Sequence, residues 1–428
     1  MELKIQKVAV KSLVEGDKTS FDVGTLKVNS QEIVDMLMKD QRFSSVRVEL
    51  ARPGESTRII PVKDVVEPRC KLDGSGEVFP GFIGDVETVG EGATLALSGV
   101  AVVTCGKIVG FQEGIIDMSG PGAEYTPFSK TLNVVLVVEP VEGLEKHEYE
   151  SACRLAGLKT AHYLAAAAKG AAGGEVETYR LPDFAEAMTS FPGLPKVAYL
   201  YMLQSQGLLH DTYVYGVDAK RIIPTLIHPN EVMDGAIVSG NCVSACDKNN
   251  TYSHQNNPII QHMYKRHGKD FNFVGCIITN ENTTLADKKR SSSYAVKLAK
   301  MLGVQGVIIS EEGFGNPDTD LIMNCRKAEQ SGIKTVLVTD EYAGRDGASQ
   351  SLADACPEAD AVVTAANANE IVVLPRMEKI IGLPDAANVI AGGFQGSLRE
   401  DGSIEVEVQA ITGATSELGF SRIGAYTI

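Results

Sequence analysis

Along the first 140 residues the apolar positions fall in short runs, among them Val46 to Leu50, Thr94 to Cys105 and Thr131 to Val138, with glycine and proline between them. Runs of this length and punctuation predict strands, so a β-rich domain is expected over 1–140. From Leu144 to about Ala168 the pattern changes. Tyr149, Ala152, Ala156 and Tyr163 recur at helical spacing in an Ala-rich stretch that stops at Gly170, Gly173 and Gly174. A long helix is expected there. Lys196 to Met202 and Ala236 to Ser239 read as strands, Ile223 to Met233 with its two prolines reads as loop, and helical character resumes after Pro258. Residues 141–241 thus form a helical and mixed region.

Past Asp270 strand and helix alternate. The apolar run Phe273 to Ile278 is followed by a helix from about Leu285 to Leu302, with Thr284 and Asp287 as its capping pair. Val304 to Ile309 is the next strand. Asn316 then sits as a cap before Pro317, and Leu321, Ile322, Cys325 and Ala328 form the apolar stripe of a helix that Gly332 stops. Strands at Thr335 to Val338, Ala361 to Thr364 and Ile371 to Leu374 continue the series. Strands joined by helices in one sheet are parallel, with right-handed crossovers. The fold class expected is α/β: a mixed β-rich N-terminal region, then a doubly wound, mostly parallel α/β domain over 242–428.

Composition narrows the function classes. At 428 residues, 44% hydrophobic and 22% charged, the chain has ordinary globular usage. No apolar run approaches the roughly 18 residues of a membrane span, and the start shows no secretory signal, so a cytoplasmic protein is expected. With 40 Lys and Arg against 55 Asp and Glu, net charge -15, and no basic block, nucleic acid is not an expected partner. Eight scattered cysteines are too sparse for a stapled scaffold, and most are expected free, reduced and buried.

Several signals point to chemistry only weakly. The loop Ser310-Glu311-Glu312-Gly313-Phe314-Gly315-Asn316 follows a strand and opens a helix, where open α/β sheets bind ligands. It lacks the third glycine of the dinucleotide fingerprint, and no phosphate-loop motif occurs in the chain, so a tight turn is the expectation. His228, His254, His262 and His267 lie near Cys242 and Cys246 in sequence, but without zinc-ligand spacing. Structural histidines are expected, and no metal.

The segment Ser239-Gly240-Asn241-Cys242-Val243-Ser244-Ala245-Cys246-Asp247-Lys248-Asn249-Asn250-Thr251-Tyr252-Ser253-His254-Gln255-Asn256-Asn257-Pro258 is richer. Gly240 permits a strained backbone, and the Cys242 thiol can attack the carbonyl of Asn241, so self-cleavage is chemically available. A buried or loop cysteine beside an asparagine is the plainer reading of those residues alone. The segment resembles the processed, pyruvoyl-containing proprotein of the glycine, sarcosine and betaine reductases of anaerobic bacteria. The resemblance implies scission between Asn241 and Cys242 and conversion of Cys242 to a pyruvoyl group, with no external cofactor. It implies that this carbonyl forms a Schiff base with glycine or a related amine and activates its C–N bond for reductive cleavage toward acetyl phosphate and ammonia. It also implies selenoprotein partners: a selenocysteine-containing subunit of the same component, a selenoprotein component A, and a component C that forms acetyl phosphate. Glycine and sarcosine can be captured in this way. Betaine's quaternary nitrogen has no lone pair and cannot.

Cys246, Asp247, Lys248, His254 and Arg266 are candidate supporting residues by proximity, since imine formation wants a proton shuttle and the substrate carboxylate an Arg fork. The two fragments are expected to stay associated. Three other readings remain open: a sarcosine reductase counterpart; an amidohydrolase with Cys242 as its N-terminal nucleophile; and an uncleaved amino-acid binding module.

Overall fold

The computed structural model describes every residue except 75–76, 111, 172, 208, 210–211, 241–248, 414–417 and 419–428. Two sheets organise the N-terminal half. One has the strand order 175–180, 2–9, 92–98, 69–71, and the other the order 114–117, 57–66, 100–106, 132–140, 43–51. The apolar run from Thr94 to Cys105 supplies both. Gly99 takes φ +81 and turns the chain, so Gly92–Ser98 joins the first sheet and Val100–Gly106 the second.

Thr57–Val66 escapes the apolar pattern because Arg58, Pro61, Lys63 and Asp64 interrupt it, yet every position of this strand is buried. Its charges are matched. Arg58 donates to both oxygens of Asp117 at 2.6 and 2.8 Å, and Lys63 reaches Glu113 at 2.7 Å. Charges leave water only with such partners. The long helix runs Lys146–Ala166 and lies against strands of both sheets, which buries Ala152, Ala156, Ala161 and Leu164 around it. Small residues permit the approach: a Cβ on Gly157 would stand 3.0 Å from the Thr104 methyl.

Five parallel strands form the other sheet: β1 (Lys196–Leu203), β2 (Asn272–Asn280), β3 (Gly306–Ser310), β4 (Lys334–Glu341) and β5 (Val362–Asn367). Their order is β2-β1-β3-β4-β5, with the short strand Thr225–Ile227 antiparallel on the outer side of β2. Helices α1 (Leu285–Met301) and α2 (Asn316–Gln330) cover one face. Thr284 caps α1 as expected, accepting from the Asp287 amide at 3.2 Å and donating to its carboxylate at 2.7 Å. On the other face Tyr199, Tyr201 and Phe273 pack with Ile260 and Met263 of the helix Pro258–Arg266, and with Leu3 and Ile5 of the first N-terminal sheet. The two halves therefore share a core.

Four expectations change. Ile223 to Met233, expected as loop, holds the strand Thr225–Ile227 against β2, and α2 is capped by Gly315 instead of Asn316. The parallel sheet takes its central strand from before Asn241, so residues 242–428 do not build it alone. The strand Ile371–Leu374 forms, but it pairs antiparallel with Ile404–Glu407 instead of extending the sheet. Its alternating burial suits a ribbon with one wet face, whereas parallel strands are buried on both. Lys379–Gly382 then pairs with Thr57–Val66, and Leu374, Ile404 and Val406 pack against Ile60 and Ile115. The C-terminal part thus returns to the N-terminal half. No described helix is long and apolar enough to cross a membrane.

Candidate functional site

From β1 the chain goes outward to β2 and crosses back to β3, so the sheet reverses direction at β1. Open α/β sheets bind ligands outside the carboxyl ends of their strands at such a point. Gln204 follows β1, Glu281 follows β2, and Glu311 and Glu312 follow β3; all four are buried. The Glu312 carboxylate is the hub. Oε2 accepts from the Gln204 amide at 3.1 Å and from the Thr212 hydroxyl at 3.4 Å, while Oε1 accepts from Asn249 Nδ2 at 3.1 Å. His254 Nε2 stands 3.7 Å from the same Oε1, and its Nδ1 is 2.7 Å from the Tyr201 hydroxyl. Tyr201 stacks on Tyr199, whose own hydroxyl meets Ser310 at 2.5 Å.

The residues on either side of 241–248 are fixed beside this hub. Before it, Asp234 accepts from Gly90 N at 2.8 Å and from the Thr94 hydroxyl at 2.7 Å, and it also pairs with Lys71. Gly235 at φ +92 then turns the chain; a Cβ there would lie 3.1 Å from Phe79 N. The strand Ile237–Ser239 leads on to Gly240, which is buried. After the segment, Asn250 caps the helix Thr251–Gln255 by accepting from Ser253 N at 2.8 Å. Asp64 accepts from the Thr251 amide at 2.9 Å and from its hydroxyl at 2.6 Å, and that hydroxyl accepts from Ser239 N at 3.0 Å. Entry and exit are thereby joined through one threonine side chain.

Buried acids surround the hub. Burial pushes the Glu281 carboxyl well above its usual range, and the charges of Glu312 and Glu311 add to this. Burial, with Asp318 next in weight, does the same to Glu311. Glu281 Oε1 accepts from Glu312 N at 2.8 Å. A larger groove, about 740 Å³, is lined by Lys7, Lys11, Phe21 and Lys169 and shares no residue with this cluster.

The model of a family described as glycine/sarcosine/betaine reductase component B subunits matches residues 1–426. The chain belongs to this family. Glycine reductase complex component B subunits alpha and beta of Acetoanaerobium sticklandii is 62% identical over 429 residues, covering 100% of both chains. Sarcosine reductase complex component B subunit alpha of Peptoclostridium acidaminophilum is 57% identical over 99% of each chain. D-proline reductase proprotein PrdA of Acetoanaerobium sticklandii is 22% identical, over 78% of this chain and 53% of its own. No solved structure matches. The family that the segment Ser239 to Pro258 resembles is thus the family of the whole chain.

Of the site residues read from the sequence of this component B chain, Asn241, Cys242, Cys246, Asp247 and Lys248 lie outside the described residues. His254 stands in the buried hub. Arg266 does not join it: it ends the helix Pro258–Arg266 and pairs with Asp270 at 2.8 Å, both half exposed. His228 accepts from Asn230 N at 3.2 Å and His267 from Phe273 N at 3.0 Å, so each serves its own backbone. Among the described residues no acid, histidine and cysteine group is arranged to hold a metal. Cys70, Cys105, Cys153, Cys276 and Cys325 are free and buried, and Cys356 is free and half buried. Sequence reasoning missed Tyr201, Asn249, Glu281 and Glu312. The signal for Glu312 is its place just past the end of β3, where open α/β sheets bind ligands.

Proposed function

We propose that the chain is the amine-binding, pyruvoyl-bearing subunit of glycine reductase, matured by scission between Asn241 and Cys242. The observation that carries this is the placement of the residues that flank 241–248: Ser239 and Thr251 meet, and Asn249 binds the hub carboxylate of Glu312 at the sheet's reversal point. Membership in the component B family supports the reaction, and the word proprotein in the name of the D-proline reductase relative supports processing.

The residues around the segment suit a carbonyl that must take up an amine. The Tyr201–His254 pair can hold and pass a proton, and the Asn249 amide is a donor in the same buried cluster. A pyruvoyl group supplies an electron sink of the kind otherwise provided by an external cofactor. This chain's part is to bind the amine, orient it, exclude water and move protons. Selenocysteine-bearing partners supply the nucleophile that displaces nitrogen, and a further component releases acetyl phosphate. Primary and secondary amines fit this chemistry; a quaternary one does not.

Intact mass spectrometry of protein from its own host tests the reading. Two fragments, 1–241 and 242–428, are expected, the second without the Cys242 sulfur and reactive toward hydrazine reagents; Cys242→Ala should stay one chain. A free N-terminal cysteine would overturn the proposal in favour of the amidohydrolase. A single chain without carbonyl reactivity would favour the uncleaved binding module.

A further inference from the structure

We infer that Cys325 and Cys356 are a redox modification site: a small-molecule disulfide oxidises the pair to an intramolecular disulfide that fastens the crossover between β4 and β5 onto α2, and a thiol reverses it. The pair lies outside the site proposed above, and its chemistry does not depend on that site.

Parallel strands are usually joined through a helix, but residues 342–361, between β4 and β5, form none. Side chains of α2 hold this stretch instead. At the start of the helix the Asp318 carboxylate accepts from Ala353 N. Toward its end Gln330 Nε2 donates to Glu358 at 3.1 Å, and Arg326 stands 3.9 Å from the same carboxylate. Cys325 and Cys356 lie between these ties, on the two facing stretches. Both pack in the apolar cluster beneath α2, and the Cys356 thiol is near enough to weigh on Cys325 directly. Thiols that meet on elements already bonded to either side need little backbone movement to link.

The two sulfurs differ in access, and that sets the order of events. Cys356 is half buried, whereas Cys325 is fully buried, with its Sγ 3.3 Å from the Thr335 hydroxyl. Burial pushes the Cys325 thiol up to about 11, which makes it a poor nucleophile toward a reagent in solution. The Cys356 thiolate therefore attacks first. Its sulfur bonds to one sulfur of the reagent, the reagent's S–S bond breaks, and one thiolate leaves and takes up a proton. Cys325 then gives its proton to solvent and attacks the Cys356 sulfur, expelling the second thiol. Two cysteine thiols are oxidised to one disulfide, and one reagent disulfide is reduced to two thiols. Cys70, Cys105, Cys153 and Cys276 are all buried and offer no exposed first attacker. Asp318, on the same helix, also bears on Glu311 of the buried acids, so the link fixes the crossover beside the hub loop.

The test is incubation of the full chain with oxidised glutathione, air excluded, followed by tryptic mapping without reduction. Peptides 301–326 and 346–376 should appear joined, with two hydrogens lost and no glutathione retained, and should separate on reduction. Cys325→Ser should stop at a mixed disulfide of Cys356 with glutathione, and Cys356→Ser should leave Cys325 unreacted. In urea, where the fold no longer holds the thiols together, the ratio of link to mixed disulfide should fall at least tenfold. In the linked chain, native trypsin should cut after Arg345, within the crossover, at least threefold more slowly, with the rate restored by reduction. A wild-type chain that stalls at the mixed disulfide, links another pair of these cysteines as fast, or keeps the same ratio in urea overturns the proposal. Unchanged cleavage after Arg345 overturns the fastening. The wild-type peptide map decides the matter even if Cys325→Ser folds poorly.

Discussion

The proposed scission at Asn241–Cys242 would put β1 in one fragment and its two neighbours, β2 and β3, in the other. Five large side chains of β1, Tyr199, Leu200, Tyr201, Met202 and Leu203, are at most 1% exposed. Each such burial is worth roughly 1.5–3 kcal/mol, about 8–15 kcal/mol gross for this strand, of which part is made against its own fragment and part offsets the roughly 4–15 kcal/mol cost of association. The pairing of Lys379–Gly382 with Thr57–Val66, the bond from Arg58 to the Pro375 carbonyl at 2.9 Å and the ion pair of Lys379 with Glu49 at 2.9 Å add to it. The cleaved protein should therefore run as one species in native mass spectrometry and gel filtration even when dilute, and part only in denaturant. Leu200→Ala, at a cost of about 2–5 kcal/mol, should lower the denaturant midpoint without separating the fragments in buffer. Fragments that elute apart on simple dilution would refute the reasoning, because the shared sheet would then not be what joins them.

Three further outcomes are expected. Burial pushes the His228 imidazole down to about 4 from 6.5; the unfolded ring takes a proton that the folded one refuses. The stability tied to neutral His228 is present above pH 6.5 and lost as pH falls toward 4, about 3 kcal/mol in all. His228→Asn keeps an acceptor for the Asn230 amide and should flatten urea stability between pH 7 and pH 4.5; equal slopes in variant and wild type would count against this. Asp117→Ala leaves Arg58 buried without its carboxylate and should cost about 3–5 kcal/mol in urea unfolding, whereas Arg58→Met with Asp117→Leu should cost less. Asp64→Asn loosens the tie to Thr251 by about 1–3 kcal/mol and should slow the appearance of the two fragments on a denaturing gel severalfold; an unchanged rate would show that Asp64 takes no part in scission.

The alternating strands and helices past Asp270 were legible because each helix carries its own apolar stripe, with Thr284 and Asp287 capping the first; the cap of the second was not, since the chain enters α2 at Gly315 and Asn316 is already helical. What the sequence could not show was sharing. The apolar character of Lys196 to Met202 identifies a strand but not which strands flank it, since parallel neighbours lie far off in the chain. Thr57–Val66 was hidden because its charges are matched by Asp117 and Glu113, which only the fold brings near. In the site, His254 was readable from its distance along the chain to Cys242. Glu281 and Glu312 were not, because they converge only when β2 and β3 lie on either side of β1. Arg266 misled for the same reason: nearness in sequence put it on a helix whose end faces solvent.

The late return of the chain to its beginning has a consequence for synthesis. Thr57–Val66 emerges early from the ribosome and finds Val100–Gly106 and Gly114–Asp117 soon after, but the strand that completes its first residues, 57–60, is Lys379–Gly382, and the cover for Ile60 and Ile115 comes from residues past 370. A nascent chain that has reached only Gln330 therefore displays an apolar sheet edge with nothing to close it, the kind of surface that chaperones shield. A sheet whose strands begin at Phe43 is among the last to be finished.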